Sequence, residues 1–492
     1  MRIPIAILAL LAPLAAGAVP IGYDGARHLL DRAGFGATDA EIREYAALDR
    51  REAVDRLLAG ARTEALTPPP AFVHEPFVPV RELRAMAKND PKAFRGEIVR
   101  QGLELRAWWI GEMLATPSPL TERMTLFWHN HFATSQQKVK LAQLMYRQNV
   151  LLRREALGNF GALLHGVAKD PAMLIYLDNA RSRREAPNEN FAREVMELFT
   201  LGVGHYGERD VKEAARAFTG FSLDPDTGAY RYRPFFHDPG EKTVLGVSGR
   251  LDGDQVIDIL LARPETARFV AAKLWREFVS PTPDEAVVER WAAVFRGAHY
   301  EVKPLLRAIF LSDAFWDPAN RASLVKSPVD LVVGTLRTFD VHPADLRPAA
   351  VACAAFGQNL FAPPNVKGWP GGDAWIDTAT LLGRKEFVDR VFRGSAFMES
   401  LSAPDDGGMR QAGMQAQAAP GPGARLERLM EVGMGSYTFN AARWSRSLGA
   451  TRDPAELDRL VLAADPADPV PAGLDAAARV RALASDPVYQ LK

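Results

Sequence analysis

The chain contains a single cysteine, Cys353, among 492 residues, so no disulfide can form within it. The neighbours of this cysteine are apolar, which predicts a buried, small hydrophobic side chain. Stability must therefore come from a hydrophobic core, and a chain of this length can readily bury one.

The chain also lacks an excess of charge of either sign, because 60 basic and 60 acidic side chains cancel. Proteins that bind nucleic acids or membrane surfaces in general carry a basic excess, which attracts phosphate groups. The charge balance therefore disfavours both of these classes.

Long apolar runs are absent after the N-terminus, where none approaches the roughly 20 residues that a membrane-spanning helix needs. The N-terminus itself has a basic residue, an apolar run over 3–16 and small residues at 16 and 18. This pattern is typical of a signal peptide, here residues 1–18, with an uncleaved anchor as the alternative. We expect a periplasmic or secreted protein with no stable membrane span after cleavage.

Several catalytic signatures are missing as well. The sequence has no Gly-x-Ser-x-Gly elbow, no His-Glu-x-x-His, no cysteine pair for zinc and no glycine loop that cradles phosphate. The hydrolase classes defined by these motifs are disfavoured.

What the sequence does contain is helical signal, so we predict a mainly α protein whose multi-helix globular body spans residues 19–400. Thr38 is predicted to cap one helix, and Ser118 followed by Pro119 another. Residues 401–424 are rich in Ala, Gly, Gln and Pro, which predicts a flexible linker. Residues 425–492 are predicted to form a helical C-terminal tail region.

One segment departs from the helical pattern. Residues 230–233 alternate aromatic and basic side chains at strand period, residues 238–240 are turn sequence, and residues 243–245 favour strand. We predict one small β-hairpin inserted between helices.

Polar side chains concentrate between residues 128 and 246, in a part of the chain otherwise rich in apolar residues. Imidazoles, carboxylates and amides are costly to bury unless they bond to one another, to an ion or to a substrate. The catalytic candidates are His129, His131, Asp178, Glu194, Glu197 and His237. The binding candidates are Asn130, Asn188, Asn190, Asp238 and Lys242.

Each candidate also has a structural explanation. On a helix, His129 and His131 would face well-separated directions and could share an ion only if the helix unwound; alternatively, one bonds backbone carbonyls and the other is solvated. Glu194 and Glu197 share a helix face and could hold a divalent cation, or Glu197 could simply pair with Arg193.

The remaining candidates have ordinary local roles too. Residues 188–190 are typical of a helix N-cap. His237 beside Asp238 could act as an oriented base, although residues 237–242 are also good turn sequence.

A loop over residues 357–372 is punctuated by proline and glycine and carries Trp369, with Trp375 shortly after it. Two exposed indoles could stack on a sugar ring, and the alternative is that they pack the loop against the helical body.

Together these segments resemble the bacterial domain of unknown function 1800 family. The matching segments, in order, are residues 28–36, 120–135, 188–202, 210–220, 237–246, 273–279, 326–328 and 357–369. The resemblance implies an exported, mainly α-helical protein. It also implies a gene often found beside another exported family, domain of unknown function 1501, which resembles the alkaline phosphatase and sulfatase superfamily.

Three functional hypotheses follow. The first is a binding or maturation partner of another exported protein, such as the phosphatase- or sulfatase-like one. The second is an envelope enzyme whose polar candidates converge on one pocket, with or without a divalent cation. The third is a carbohydrate-binding module that uses Trp369 and Trp375.

Overall fold

A computed structural model describes residues 19–402, 437–448 and 453–492, and their side chains except over 394–402. The described residues form 23 α-helices and two small antiparallel sheets. The predicted mainly α fold is confirmed. Of the sequence predictions, the signal peptide over 1–18, residues 403–424 of the linker predicted over 401–424 and residues 425–436 of the predicted tail region lie outside the described residues.

The first half of the chain is helical up to residue 217. Its helices are α1 (Gly22–Ala33), α2 (Asp39–Ala46), α3 (Arg50–Ala59), α4 (Val80–Asn89), α5 (Pro91–Ala115), α6 (Pro119–His131), α7 (Gln136–Val139), α8 (Ala142–Arg154), α9 (Phe160–Ala168), α10 (Pro171–Tyr176), α11 (Glu189–Met196) and α12 (Glu208–Ala217). A π-helical turn, Glu197–Leu201, extends α11.

The second half begins with the strands and returns to helix. The strands are β1 (Phe221–Leu223), β2 (Tyr230–Tyr232), β3 (Lys242–Val244) and β4 (Val247–Gly249). The helices are α13 (Gly253–Ala262), α14 (Pro264–Phe278), α15 (Glu285–Gly297), α16 (Val302–Leu311), α17 (Asp313–Trp316), α18 (Pro328–Thr338), α19 (Arg347–Ala355), α20 (Thr378–Ser402), α21 (Ala441–Ser447), α22 (Pro454–Val461) and α23 (Ala476–Ser485).

The predicted helix starts are confirmed in position and partly in chemistry. Thr38 accepts a hydrogen bond from the Glu41 backbone and Glu41 reaches back to the Thr38 N–H, which satisfies two otherwise free donors of α2. Ser118 does occupy the N-cap of α6 with Pro119 first in the helix. Its hydroxyl, however, bonds the Thr121 hydroxyl at 2.8 Å and caps no backbone N–H.

The prediction of one hairpin is wrong in its pairing. Residues 230–232 pair with β1, and residues 242–244 pair with β4, so each predicted strand belongs to a different hairpin. The turn sequence at 238–240 connects the two hairpins. Short strands pair most easily with their nearest neighbour in sequence, because the loop that must close is shorter.

The apolar side chains form two buried clusters. The first is centred on α9, α11, α12 and α13–α16. The second is built from α5, α18, α19 and the beginning of α20, and it includes the tail residues Tyr437, Trp444 and Tyr489. Helix α6 contributes to both, because Phe127 belongs to the first cluster and Leu126 to the second.

The tail is joined to the body by hydrogen bonds as well as by apolar packing. The Trp444 indole N–H donates to the Thr338 carbonyl at 2.8 Å, and the Tyr437 hydroxyl donates to the Asp345 carbonyl at 2.9 Å. The described part of the predicted tail region is therefore held against α18 and the segment that follows it.

Two further features bear on the sequence predictions. Cys353 is buried in α19, and burial raises the pKa of its thiol above the ordinary value, as expected for a packing residue. Within the described residues, no helix combines the length and the apolar character that a membrane crossing requires.

Candidate functional site

Helix α6 carries both candidate histidines, and the structure places them in different surroundings. His129 is 2% exposed and His131 is 3% exposed. The Asn149 side chain donates to Nε2 of His129 at 3.1 Å, whereas Nε2 of His131 donates to the Phe199 carbonyl at 3.1 Å. The prediction that the two imidazoles face separate directions is confirmed, but neither is solvated.

His129 belongs to a buried polar network. Arg153 donates to both oxygens of Glu122 at 2.5 and 2.8 Å and to Oδ1 of Asn149 at 2.6 Å. The Trp109 indole also donates to Glu122, at 2.7 Å. Burial, followed by the charge of Arg153, lowers the pKa of His129 to about 3. Every polar group of this network has a partner, so the network supports packing.

His131 is paired with Lys273 of α14. The Lys273 ammonium donates to Nδ1 of His131 at 3.1 Å and lies 3.4 Å from the Leu198 carbonyl. The Leu198 carbonyl and the Phe199 carbonyl that accepts from His131 both belong to the π-helical turn at the end of α11. Backbone C=O groups at a helix end lack partners within the helix. Burial, followed by the charge of Arg276, lowers the pKa of Lys273 to about 8.

The two glutamates of α11 stay on one face but do not pair with Arg193. Arg193 binds Glu208 of α12 through both nitrogens at 2.7 and 2.8 Å, and Glu197 accepts from the Tyr206 hydroxyl. Burial, followed by the negative charge of Glu197, raises the pKa of Glu194. The alternative of an Arg193–Glu197 pair is therefore wrong.

Asp178 and Asn188 have local roles. The Asp178 side chain is 72% exposed and accepts from Lys138 at 2.6 Å. Asn188 caps α11 by accepting from the backbone of Asn190 and Phe191, and its amide donates to the Leu177 carbonyl at 2.6 Å. The predicted N-cap is confirmed and assigned to Asn188, while Asn190 contributes only its backbone N–H.

The candidate side chains of the turn at residues 237–242 have hydrogen-bond partners nearby, either within the turn or at residues 216–219. Nδ1 of His237 donates to the Thr219 carbonyl at 3.0 Å, and Asp238 binds Arg216 at 2.7 Å. The Lys242 ammonium donates to the carbonyls of Asp238 and Gly240 at 2.6 and 2.9 Å. His237 and Asp238 therefore do not form an oriented acid–base pair, which corrects that hypothesis.

Asn130 attaches the 357–372 loop to α6. Its Oδ1 accepts from the Trp369 backbone at 2.6 Å. Gly368 has a φ of +88°, and a Cβ on it would lie 2.1 Å from the same oxygen, so the close approach requires glycine. Trp369 and Trp375 are 4% and 5% exposed. The two rings therefore do not form the exposed face that the carbohydrate hypothesis requires.

The sequence candidates thus do not converge as the enzyme hypothesis expected. Each of four candidates, namely His129, His131, Asp178 and His237, has a hydrogen-bond partner of its own that the others do not share. Among the six catalytic candidates, the only pair linked by charge is Glu194 and Glu197, since burial and then the charge of Glu197 raise the pKa of Glu194. Among the described residues, no three His, Cys, Asp or Glu side chains are placed to share a metal ion.

A different site does form, at a cavity of about 460 Å³ between α6, α14, the start of α18 and the 367–375 loop, which we call the α6–α14 cavity. It lies where α6 joins the two apolar clusters. Its lining includes His131, Asn130, Trp369 and Trp375 from the sequence candidates. Its charged lining residues are Arg123, Lys273, Arg276, Lys367 and Lys492, together with Glu277, Asp330 and Asp373.

The charges at the base of the cavity compensate one another. Arg123 binds Asp330 and lies 3.4 Å from Glu277, and the Lys492 ammonium donates to Asp330 at 2.8 Å. Although burial acts to raise it, the charges of Arg123 and Lys492 hold the pKa of Asp330 well below its ordinary value. This buried cluster is neutral overall and fixes α6 against α18.

Three other basic side chains of the cavity are not compensated in this way. Within the described part of the chain, no carboxylate forms an ion pair with Lys273, Arg276 or Lys367. The Trp369 indole N–H is buried in the wall and has no hydrogen-bond partner there. Basic side chains without ion-pair partners are donors of the kind that bind anions.

Sequence reasoning missed these basic residues as a group. Lys273, Arg276 and Lys367 lie in segments by which the chain resembles the family, but the two segments are far apart in sequence and the residues are ordinary in type. Four of those segments, 120–135, 273–279, 326–328 and 357–369, contribute lining residues to the cavity. The sequence shows these four segments separately, and only the folded chain shows that they meet at one cavity.

The fold and the site define a mainly α-helical protein with one cationic cavity at the junction of its two apolar clusters. The family described as "Protein of unknown function (DUF1800)" matches residues 28–491, and the chain belongs to that family. No curated protein and no solved structure shows significant similarity to the chain.

Proposed function

We propose that this protein is exported and binds a small anion, of the phosphate, sulfate or carboxylate class, in the α6–α14 cavity. The observation that carries the proposal is the set of Lys273, Arg276 and Lys367, which line the cavity and have no ion-pair partners among the described residues. A cavity of about 460 Å³ is of the size that small-molecule sites have, roughly 300–1,000 Å³.

The donor types fit tetrahedral or planar oxyanions. Lysine ammonium groups bind phosphate as compact point charges, and an arginine guanidinium binds it through paired N–H groups. The Arg123–Asp330–Lys492 cluster would keep its own charges paired, so the ligand would meet the three remaining cations.

Titration of the cavity against inorganic phosphate and sulfate by calorimetry tests the proposal. We expect binding to the wild type, and at least about tenfold weaker binding to Lys273→Met, because a charge-assisted hydrogen bond contributes about 1.5–3 kcal/mol. Lys303→Met, at an exposed lysine of α16, is the matched control and should bind like the wild type. Equal affinities for all three proteins, or no binding to any, would overturn the proposal.

An enzyme is the second candidate, and the Lys273–His131 pair favours it. His131 donates its Nε2–H to the Phe199 carbonyl, so its Nδ1 carries no proton and accepts a hydrogen bond from the Lys273 ammonium. With its pKa lowered to about 8, Lys273 can exist in both protonation states near neutral pH. In hydrolysis of an ester of the bound anion, water would attack the phosphorus or sulfur atom, the bond to the leaving oxygen would break, and the Lys273 ammonium would donate a proton to that oxygen.

The enzyme hypothesis is tested by a panel of chromogenic phosphate and sulfate monoesters. We expect turnover whose pH profile falls on the alkaline side near pH 8 and which Lys273→Met abolishes. Turnover that is unchanged in Lys273→Met would exclude the pair as the proton donor.

The partner hypothesis remains a separate proposal. The family resemblance supports a binding or maturation role toward an exported phosphatase- or sulfatase-like protein, and such a protein would release the class of anion proposed here. Co-purification with the neighbouring gene product tests it, and the lack of a complex would count against it. N-terminal sequencing of the exported protein, expected to start at Val19, tests the signal peptide.

A further inference from the structure

A second concave surface shares no lining residue with the α6–α14 cavity. It is an apolar groove of about 510 Å³ between the end of α4, the first half of α5 and α7, which we call the α4–α5 groove. Its apolar lining consists of Ala87, Pro91, Phe94, Ile98 and Val99.

This surface exposes more apolar area than packing requires. Helix α4 has no buried residue along its whole length. Val99, which lines the groove, is 67% exposed. Contiguous apolar patches of this kind on a protein surface mark sites of association, because leaving them in water costs free energy.

The charged residues that line the groove are all basic. They are Arg95, Arg106 and Lys140, and no carboxylate lines the groove with them. Arg106 uses its donors on the Leu360 carbonyl at 2.9 Å and the Gln136 side chain at 3.1 Å. Arg95 donates to the Pro91 carbonyl at 3.1 Å. Within the described residues, none of the three forms an ion pair with a carboxylate.

Burial without a compensating charge has a measurable consequence at the base of the groove. It lowers the pKa of Arg106 to about 10. A carboxylate brought into the groove would therefore meet a guanidinium that is partly desolvated already, where an ion pair gains more than it does in open water.

We infer that the α4–α5 groove binds an acidic amphipathic helix of a partner protein. The walls of the groove are helices with no free sheet edge, so the fitting partner is a helix that inserts apolar side chains spaced three and four residues apart. The lined part of α5 runs from Pro91 to Arg106, about 24 Å at 1.5 Å per residue, which matches about four turns of the partner. Carboxylates along that helix would face Arg95, Arg106 and Lys140.

The test uses the full-length protein and a hydrocarbon-stapled peptide of about 14 residues, with leucines at spacings of three and four and glutamates on both flanks. Fluorescence anisotropy of the labelled peptide measures affinity. A second peptide has the same leucines with lysines in place of the glutamates. We expect the acidic peptide to bind and the basic peptide to bind at least tenfold more weakly.

Matched substitutions locate the site. Val99→Asp should weaken the acidic peptide at least tenfold, whereas Val203→Asp, at a valine that is 77% exposed elsewhere, should leave its affinity unchanged. Because Val99 is exposed, Val99→Asp should fold and should keep the phosphate affinity of the wild type, which separates this inference from the proposed function.

Three results would overturn the inference. Equal binding of both peptides would show apolar adhesion without charge recognition. Binding of decanoate at the groove without binding of the acidic peptide would assign it to a small amphiphile. A concentration-dependent dimer that Val99→Asp dissociates would assign it to a second copy of this chain.

Discussion

His129 and His131 lie two residues apart on one helix, yet they belong to regions of opposite character. Around His129, the Glu122, Arg153, Asn149 and Trp109 side chains complete one another's hydrogen bonds. Around His131, Lys273 lines the cavity and has no carboxylate partner among the described residues. The paired groups around His129 stabilise the packing of the helices. The unpaired Lys273 beside His131 is the basis of the proposed anion site.

The difference follows from what each face of α6 meets. On the His129 side, Glu122 of α6 itself accepts from Arg153 of α8 and from Trp109 of α5, so the buried acid and the buried base pair with each other. The His131 face meets α14 and the 367–375 loop, which supply bases in excess. Both faces are buried, so burial alone does not distinguish a structural histidine from one at a site.

The largest expected effect comes from breaking the complete network. Glu122→Gln keeps the size of the side chain but leaves the Arg153 charge buried without compensation, because both groups are 1% exposed. We expect a loss of about 3–5 kcal/mol in the free energy of unfolding, measured by urea denaturation. Phosphate affinity of the remaining folded protein should not change.

The matched control for that experiment is Glu104→Gln, where the carboxylate pairs with Arg100 on the exposed side of α5. It should cost less than about 1 kcal/mol, as surface pairs do. If Glu122→Gln costs no more than this control, the network does not determine the packing around His129.

The next effect in size is the response to acid. The pKa of His129 is lowered to about 3, so between that value and the ordinary pKa near 6.5 the unfolded chain binds a proton that the folded one does not. Stability therefore falls as the pH drops through 6.5. Between pH 7.5 and pH 5 we expect the wild type to lose about 2 kcal/mol more than His129→Phe, in denaturation curves at both pH values. Parallel losses would show that His129 is protonated in the folded state.

Lys273→Met should have the opposite sign at neutral pH. The folded state holds a lysine whose pKa is lowered to about 8, so the charged form costs free energy below that pH. After allowing for partial exposure and the lost bond to His131, we expect the variant to be about 1–2 kcal/mol more stable at pH 7. The advantage should shrink between pH 8 and 10.5, because there the folded wild type loses its proton before the unfolded chain does. Thermal unfolding at pH 7 and 9.5 measures this, and a destabilised variant would contradict it.

The smallest effect is spectroscopic and compares the two imidazoles directly. Asn149 uses its oxygen on Arg153 and its amide on His129, so His129 accepts at Nε2 and carries its proton on Nδ1. His131 donates from Nε2 to a carbonyl and accepts at Nδ1. We expect opposite neutral tautomers in nitrogen-15 spectra of histidine-labelled protein at pH 7, with each signal assigned by His→Gln substitution. Identical tautomers would contradict the two environments.

Local chemistry was predictable from the sequence where the partners are close in the chain. Thr38 and Asn188 cap helices because their side-chain oxygens reach N–H groups two or three residues away. Helix content, the proline in the first turn of α6 and the burial of Cys353 follow from equally local patterns. The hairpin prediction failed on pairing, because strand propensity does not say which neighbour a strand meets.

The pattern of apolar residues along the chain predicts a mainly helical protein. It also predicts that His129 and His131 point to different sides of one helix, because residues two apart on a helix face different directions. Only the tertiary structure decided which of them meets a cavity. That cavity brings Lys273 to a histidine 142 residues away in sequence and sets it beside Lys367 and Trp369 of a distant loop. The chemistry of the site lies in charges left unpaired after packing, and pairing is settled only when the helices have docked.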